Sequence, residues 1–405
     1  MRVRRVVATG LGIAAPNGLG TGDYWTATLG GVTGIRPVSR FDATAYPVKL
    51  AGEVRGFEPA EHLPSRLIPQ TDQMTRLALA AAAWALADAG VDPRSLPEYE
   101  AGVVTASSSG GFEFGQRELE NLWGRAPAYV SAYQSFAWFY AVNTGQISIR
   151  HGMRGPSGVL VTDDAGGLDA VGHARRLIRN GTSLVVSGGA DSSLCPWGLV
   201  AQLPGGMLST GHEPAEAYLP FDERAAGYVP GEGAAIVVLE DADAARRRGA
   251  RCYGEIAGYA ATFDPRPGSG RPAGLRRAIE LALADADVTP AEVDVVFADA
   301  VGVRELDTAE ADAITSVFGP YGVPVTAPKT MTGRLHAAGA ALDLATALLA
   351  ITNGVIPPTA NVRPAPRYRL NLVTSTPLRA RPRTALLTAR GYRGFNAAML
   401  VRGQT

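Results

Sequence analysis

Residues Val159-Leu160-Val161-Thr162-Asp163-Asp164-Ala165-Gly166-Gly167-Leu168-Asp169 run an apolar strand into a polar turn, and a small-residue helix continues to Arg179. Enzymes that form acyl intermediates place Ser or Cys at such a turn, where a helix N-terminus stabilises developing negative charge. This chain places carboxylates there. An aspartate on a helix N-terminus is held as its anion, a poor acyl acceptor and a good cap. A turn built for catalysis therefore lacks its nucleophile.

The other reactive side chains offer less. Cys195 and Cys252 are the two cysteines, so no disulfide framework holds the fold. Neither shows the helix N-terminus or the His base that a thiolate nucleophile needs, and both read as buried apolar residues. His62, His151, His173, His212 and His336 have no metal-ligand spacing, so no metal is expected. His336, near the start of a Gly/Ala helix, reads as a packed side chain among apolar neighbours. Thr9-Gly10-Leu11-Gly12-Ile13-Ala14-Ala15 fits G-x-G-x-x-A after a strand, but Pro16-Asn17-Gly18 opens a loop where dinucleotide binding needs a helix. It reads as a tight strand-end turn, with no cofactor.

The elements that position these residues alternate. β-branched runs at 3–9, 102–106, 158–162, 183–187, 234–239, 293–298 and 384–389 read as strands. Ala/Leu-rich stretches at 74–89, 165–179, 242–248, 273–284, 309–318 and 338–352 read as helices, so the fold class is layered α/β. The pattern repeats. Residues 159–181 run strand, polar turn, Gly/Ala helix and Asn180-Gly181, and residues 323–354 run strand, Pro328-Lys329-Thr330, Gly/Ala helix and Asn353-Gly354. Each Asn-Gly supplies the left-handed residue that ends a helix. The strands 101–111 and 293–303 likewise lead into Gly-bearing loops. Two related halves, 1–250 and 251–405, are expected to meet near 248–253, with any site around their pseudo-twofold.

Composition narrows the partners. The 405 residues suffice for two or three domain-sized units. Hydrophobic residues make up 46% and charged residues only 19%, which calls for extensive burial or a large subunit interface. Lys+Arg and Asp+Glu both number 38, and zero net charge argues against nucleic acid or an anionic membrane as partner. Apolar runs such as 77–87 are too short to span a bilayer, and the N-terminus enters a strand without a signal-peptide apolar region. A cytoplasmic protein is expected.

With these features the chain resembles the β-ketoacyl synthase family, and within it the chain-length factors, the ketosynthase-β subunits of type II aromatic polyketide synthases. The resemblance spans essentially the whole chain. It is carried by Thr9-Gly10-Leu11-Gly12 with Pro16-Asn17-Gly18, and by Tyr140-Ala141-Val142-Asn143-Thr144-Gly145-Gln146-Ile147-Ser148-Ile149-Arg150-His151-Gly152. Gly166-Gly167-Leu168-Asp169-Ala170, Pro220-Phe221-Asp222-Glu223 with Gly231-Glu232-Gly233, and Pro328-Lys329-Thr330 complete it. It implies a thiolase-like fold of two duplicated halves in αβαβα layers. Active members carry a Cys at the turn, and the Gly-Leu-Asp that follows places it at Asp164. Their first catalytic His opens H-G-T-G-T-x-x-N-D-x-x-E, where residues 299–310 put Asp299. Their second lies in K-S-M-I-G-H-S, where Lys329 is retained and Arg334 replaces the His. Asp164 is expected to cap its helix, and Arg334 to pair with a carboxylate such as Asp299. Chain-length factors commonly carry Gln at the turn, linked to malonyl decarboxylation, and an ionised Asp164 cannot donate that hydrogen bond.

The resemblance implies a subunit of an acyltransferase heterodimer that does not itself condense. It would pair with a catalytic ketosynthase-α, receive substrate on the phosphopantetheine arm of an acyl carrier protein, and shape a tunnel whose depth limits growth. The gate of that tunnel resembles residues 110–119, where Phe112, Gly115 and Leu119 share one helix face. Trp197 resembles a residue further along it. Short-chain relatives are bulkier at the positions of Gly115 and Leu119, so a product longer than an octaketide is expected. The competing expectation is an enzyme in its own right, decarboxylating or hydrolysing malonyl or acyl thioesters with Asp164, Asp299 and Arg334.

Overall fold

The computed structural model describes residues 4–404 other than Pro267 and Pro272; the predicted strand 3–9 starts at Val3, outside the described residues. The main sheet runs from Asn371–Leu372 through Pro324–Thr326, Val295–Phe297, Thr384–Gly391, Phe395–Arg402 and Gly254–Phe263. It continues through Val6–Ala15, Gly233–Asp241, Leu184–Asp191 and Ala101–Ala106 to Ser157–Leu160. Read outward from the middle, each side repeats the other: two antiparallel neighbours, then parallel strands. The strands of the two sides pair at Val7↔Glu255 and Ala8↔Gly254. The chain passes from one half to the other between Ala242–Arg247 and Gly254–Phe263.

Strand alternation builds the layers, because successive side chains point to opposite faces. Val237 and Leu239 face a central core formed by Gly166–Arg179 and Ala337–Asn353, while Ile236 and Val238 pack on Gln73–Ala89. In the other half Leu387 and Met399 face the same central core, and Leu386 and Leu400 pack with residues of Leu275–Ala286. The result is the layered αβαβα arrangement with two helices in the middle. Ala337–Asn353 is apolar nearly all round because it is enclosed on all sides. Both repeated helices end as the Asn-Gly pairs predict, with φ 122° at Gly181 and 69° at Gly354.

The stretch 9–15 is not a turn: Val6–Ala15 stays extended through it. Its glycines serve packing. A Cβ on Gly10 would lie 2.1 Å from the Ala85 carbonyl oxygen, and one on Gly12 would lie 1.9 Å from that of Ala81. The helix Gln73–Ala89 therefore rests directly on this backbone. Strand periodicity does not report such contact, so the glycines look like a turn in sequence. Gly12→Ala should cost about 1–3 kcal/mol through overpacking, read as a lower denaturant midpoint. Gly22→Ala, with no atom within 4 Å of the added carbon, should be neutral or slightly stabilising.

Candidate functional site

The strand Ser157–Leu160 delivers the chain into a 3₁₀ turn, Asp163–Ala165, that opens the helix Gly166–Arg179. Asp163 turns the corner at φ 53° and accepts the Tyr392 amide at 2.6 Å. Asp164 thus sits where the sequence places it, beside the N-terminus of the companion helix: a Cβ on Gly167 would be 2.4 Å from the Ala337 carbonyl. The expected cap is not made. That helix starts from Ala165 with no side-chain cap. Asp164 is instead taken by a cation, which adds the attraction of a full opposite charge to the hydrogen bond that an amide alone would give.

The cation is Arg334. Its Nη2 lies 2.9 Å from Asp164 Oδ2, with Nε 3.3 Å from the same oxygen. Nη2 also reaches Asp299 Oδ1 at 3.1 Å and the Arg390 carbonyl at 3.3 Å, while Nη1 donates to the Asp299 carbonyl at 2.9 Å. The Tyr228 ring lies 5.5 Å from the guanidinium carbon. Lys329 flanks the cluster, 3.0 Å from the Asp299 carbonyl and 2.7 Å from Asp343. Asp299 itself is fixed from behind. Its amide and that of Ala300 donate at 2.7 and 2.8 Å to the Glu310 carboxyl, which also receives the Thr388 hydroxyl at 2.8 Å.

These contacts set the charge states. Burial opposes ionisation of Asp299, yet Arg334 and Lys329 together hold its carboxyl below the usual carboxylate range. Burial pushes Asp164 up, with Arg334 pulling against it. Burial and then the Asp299 charge push Glu310 up. Arg334 is buried as well, but its two carboxylate partners keep it firmly cationic. Every guanidinium nitrogen is engaged within the protein. Asp164, Asp299 and Arg334, the positions at which the resemblance expects a thiol and two histidines, are joined in an internal ion bridge.

The other candidates resolve separately. Cys195 directly precedes the helix Pro196–Gln202, the helix start that its sequence did not reveal, and accepts the Gly198 amide through Sγ at 3.4 Å. Burial raises its thiol to about 11, so it stays protonated. Burial also raises the Cys252 thiol. His336 is not simply packed among apolar neighbours: its Nε2 lies 3.2 Å from the Ser193 hydroxyl, on a backbone with φ 50°. Among the described residues no group of three or more potential ligands is arranged for a metal.

The gate residues largely converge. Phe112 and Gly115 lie on the helix Phe112–Gly124, and the Phe112 ring packs on Trp197 at 4.7 Å between centroids. A Cβ on Gly115 would be 3.0 Å from Trp197 and 3.7 Å from Trp138. Leu119 follows on the same face, 39% exposed, and Trp197 is 42% exposed. Sequence reasoning missed what holds this helix. Buried Asp191 takes the Ser107 hydroxyl at 2.8 Å and the amides of Ser108 and Ser109, while its other oxygen takes the Ala337 amide at 3.0 Å. Its partners are 82 or more residues distant in sequence, so no local motif marks it.

This geometry meets its relatives in known proteins. The β-ketoacyl synthase N-terminal domain model matches residues 3–245 and the C-terminal domain model matches residues 253–363. The chain belongs to the β-ketoacyl synthase family, in its ketosynthase-β branch. It is 63% identical over 400 residues to the tetracenomycin polyketide synthase ketoacyl synthase beta subunit of Streptomyces glaucescens, covering 98% of each chain. It superposes on the ishigamide ketosynthase/chain length factor with a TM-score of 0.91 at 30% identity over 100% of both chains. A type II polyketide ketosynthase, solved with its acyl-carrier protein and bound to the hexaketide, matches at TM-score 0.89 and 26% identity, again over 100% of both. The family fold is thus intact around an altered centre.

Removing Arg334 should expose what the bridge balances. Arg334→Met leaves the partly buried Asp164 and the buried Asp299 without their shared cation, and should cost up to about 3 kcal/mol at neutral pH in denaturant unfolding. Adding Asp164→Asn and Asp299→Asn should restore most of it. The pH dependence follows from the signs. Asp299, lowered in the native protein, contributes stability above its unfolded pKa that is lost as pH falls through its native value. Without Arg334 the largest pull against burial on that carboxyl is gone and Lys329 remains, so less proton-linked stability is left to lose and the deficit of Arg334→Met should shrink on acidification.

Proposed function

We propose that this chain is the non-condensing chain-length factor of a type II aromatic polyketide synthase. It pairs with a catalytic ketosynthase-α and shapes the tunnel in which the poly-β-ketone grows. The observation that carries this reading is the Arg334 bridge to Asp164 and Asp299 inside an otherwise intact synthase scaffold. A centre that neutralises itself cannot accept an acyl group, so the scaffold is kept for pairing and for shape. The competing use of the same three residues as a decarboxylase or hydrolase needs a carboxylate and a cation free to act on substrate, and their pairing with one another favours the first reading.

The surface supports pairing. Leu119, Trp138, Phe139, Tyr140 and Trp197 are all more than a third exposed, and the Phe139 and Tyr140 rings lie 4.4 Å apart between centroids, tilted by 42°. Apolar surface of this kind beside the gate marks an interface. Among the described residues no helix is long and apolar enough to cross a membrane, and we place the pair in the cytoplasm. Substrate arrives on the phosphopantetheine arm of an acyl carrier protein, so the chain itself requires no cofactor. Glycine at 115 and leucine at 119 leave the gate open, which suits a product longer than an octaketide.

Co-expression with a ketosynthase-α tests the gate. Gly115→Thr with Leu119→Phe fills space already within contact of Trp197, and a misfit of a few methylenes costs about 1–3 kcal/mol each. Mass spectrometry should show products shorter by one or more two-carbon units; an unchanged length refutes the gate. The isolated chain should not decarboxylate malonyl-carrier protein, and activity that Asp164→Ala abolishes would install the competing reading.

A further inference from the structure

Asp72 is a buried carboxylate that lies outside the altered centre, with 2% of its surface exposed. It caps the helix Gln73–Ala89 in the ordinary way, Oδ1 accepting the Met74 amide at 2.9 Å. Its second oxygen does something a single cap does not require. Oδ2 accepts the amide of Phe114 at 2.8 Å, the third residue of the gate helix Phe112–Gly124. That helix has no cap of its own, since Gly111 precedes it and has no side chain to offer. The missing side chain also makes room: a Cβ on Gly111 would lie 2.9 Å from Asp72 Cβ and 2.3 Å from the Ala137 carbonyl. One carboxylate therefore joins two helix N-termini across 42 residues of sequence.

We infer that Asp72 is a positioning residue for chain length: by pinning the N-terminus of the gate helix it fixes how far Phe112, Gly115 and Leu119 reach into the polyketide tunnel. The inference rests on the chain-length reading above. Small displacements of this helix matter, because a Cβ on Gly115 would lie only 3.0 Å from Trp197. The loop just before the helix is anchored independently by Asp191, through the amides of Ser108 and Ser109. Loss of the Asp72 contact thus frees the start of the helix without freeing the loop. A carboxylate is required, since asparagine has one acceptor oxygen and would turn an N–H toward one of the two amides.

The geometry also makes the anchor sensitive to pH. Burial raises the Asp72 carboxyl to about 7, against the pull of the Phe114 and Met74 amides; Glu113 on the gate helix adds to the rise and Arg76 on its own helix opposes it. The charges of Asp72 and Glu113 also act on the Cys195 thiol, which faces them from the segment before Pro196–Gln202. Below about 7 one acceptor becomes a hydroxyl, and one amide of the pair is held less firmly. The sign for stability is opposite. A carboxyl raised in the native state makes the fold more stable, not less, as pH falls through about 7 toward the unfolded value. Loosening of the gate on acidification is therefore separable from unfolding.

The test uses the purified heterodimer with its ketosynthase-α and acyl carrier protein, and reads the distribution of chain lengths by mass spectrometry. Asp72→Asn should raise the share of minor lengths by roughly three- to tenfold, the worth of one hydrogen bond. It should also speed hydrogen exchange at the Phe114 amide. The native complex should show the same broadening between about pH 8 and about pH 6, at unchanged or higher melting temperature, while Asp72→Asn shows no further change with pH. Gly115→Thr serves as the control for the tunnel. If Gly115→Thr shortens the product while Asp72→Asn and the pH series leave the distribution unchanged, Asp72 is only a structural cap and the inference is overturned. If Gly115→Thr also has no effect, the chain-length reading fails and the inference with it. Should Asp72→Asn not fold, the pH series of the native complex decides alone.

Discussion

Two helices enclosed between the halves of the sheet set the geometry of this protein. Gly166–Arg179 and Ala337–Asn353 carry the central core, and their N-termini meet so closely that Gly167 has no room for a side chain. Everything at the candidate site hangs from those two ends. Asp164 precedes the first helix by two residues and Arg334 precedes the second by three. Two N-termini turned toward one spot create positive potential there. In a synthase that potential serves a thiolate and an oxyanion. Here it adds to Arg334 and Lys329, and Asp164, Asp299 and Asp343 balance it.

That balance explains why the centre can be buried without a nucleophile. A lone arginine in such a position would be prohibitively costly to desolvate, and so would a lone pair of aspartates. Together their charges offset one another, with Arg334 also spanning the Asp299 and Arg390 carbonyls. The substitutions at 164, 299 and 334 therefore form a set rather than three separate losses. Each carries a charge that the others offset, and the surrounding family fold is retained.

The gate helix shows the same use of buried carboxylates as mechanical fasteners. Asp191 ties the loop before it to the start of Ala337–Asn353, and Asp72 ties its first turn to Gln73–Ala89. Both aspartates spend their two oxygens on backbone amides from different elements, so each is a junction rather than a surface charge. The altered centre and the gate are thus linked through one short path, from Arg334 and His336 through Ala337 to Asp191 and Ser108. Beside this helix Leu119, Trp138, Phe139, Tyr140 and Trp197 stay exposed in the single chain.

The layered α/β class and the duplication were legible in the amino-acid order alone, as were the motifs that lead to Asp164, Asp299 and Arg334. Those rest on local signals: strand and helix periods, Asn-Gly ends, and motif residues a fixed number of positions from Asp164, Asp299 and Arg334. It read the glycines at 10 and 12 as a turn, because a strand that needs bare backbone for a helix to lie on looks like a broken one. It placed Arg334 near Asp299 but assigned Asp164 to its own helix, since competition between an amide and a guanidinium 170 residues away has no sequence period. Asp72 and Asp191 left no signal beyond single aspartates. Only the tertiary structure decided their partners, because hydrogen bonds between distant elements depend on how the layers stack, and that is set by the whole core at once.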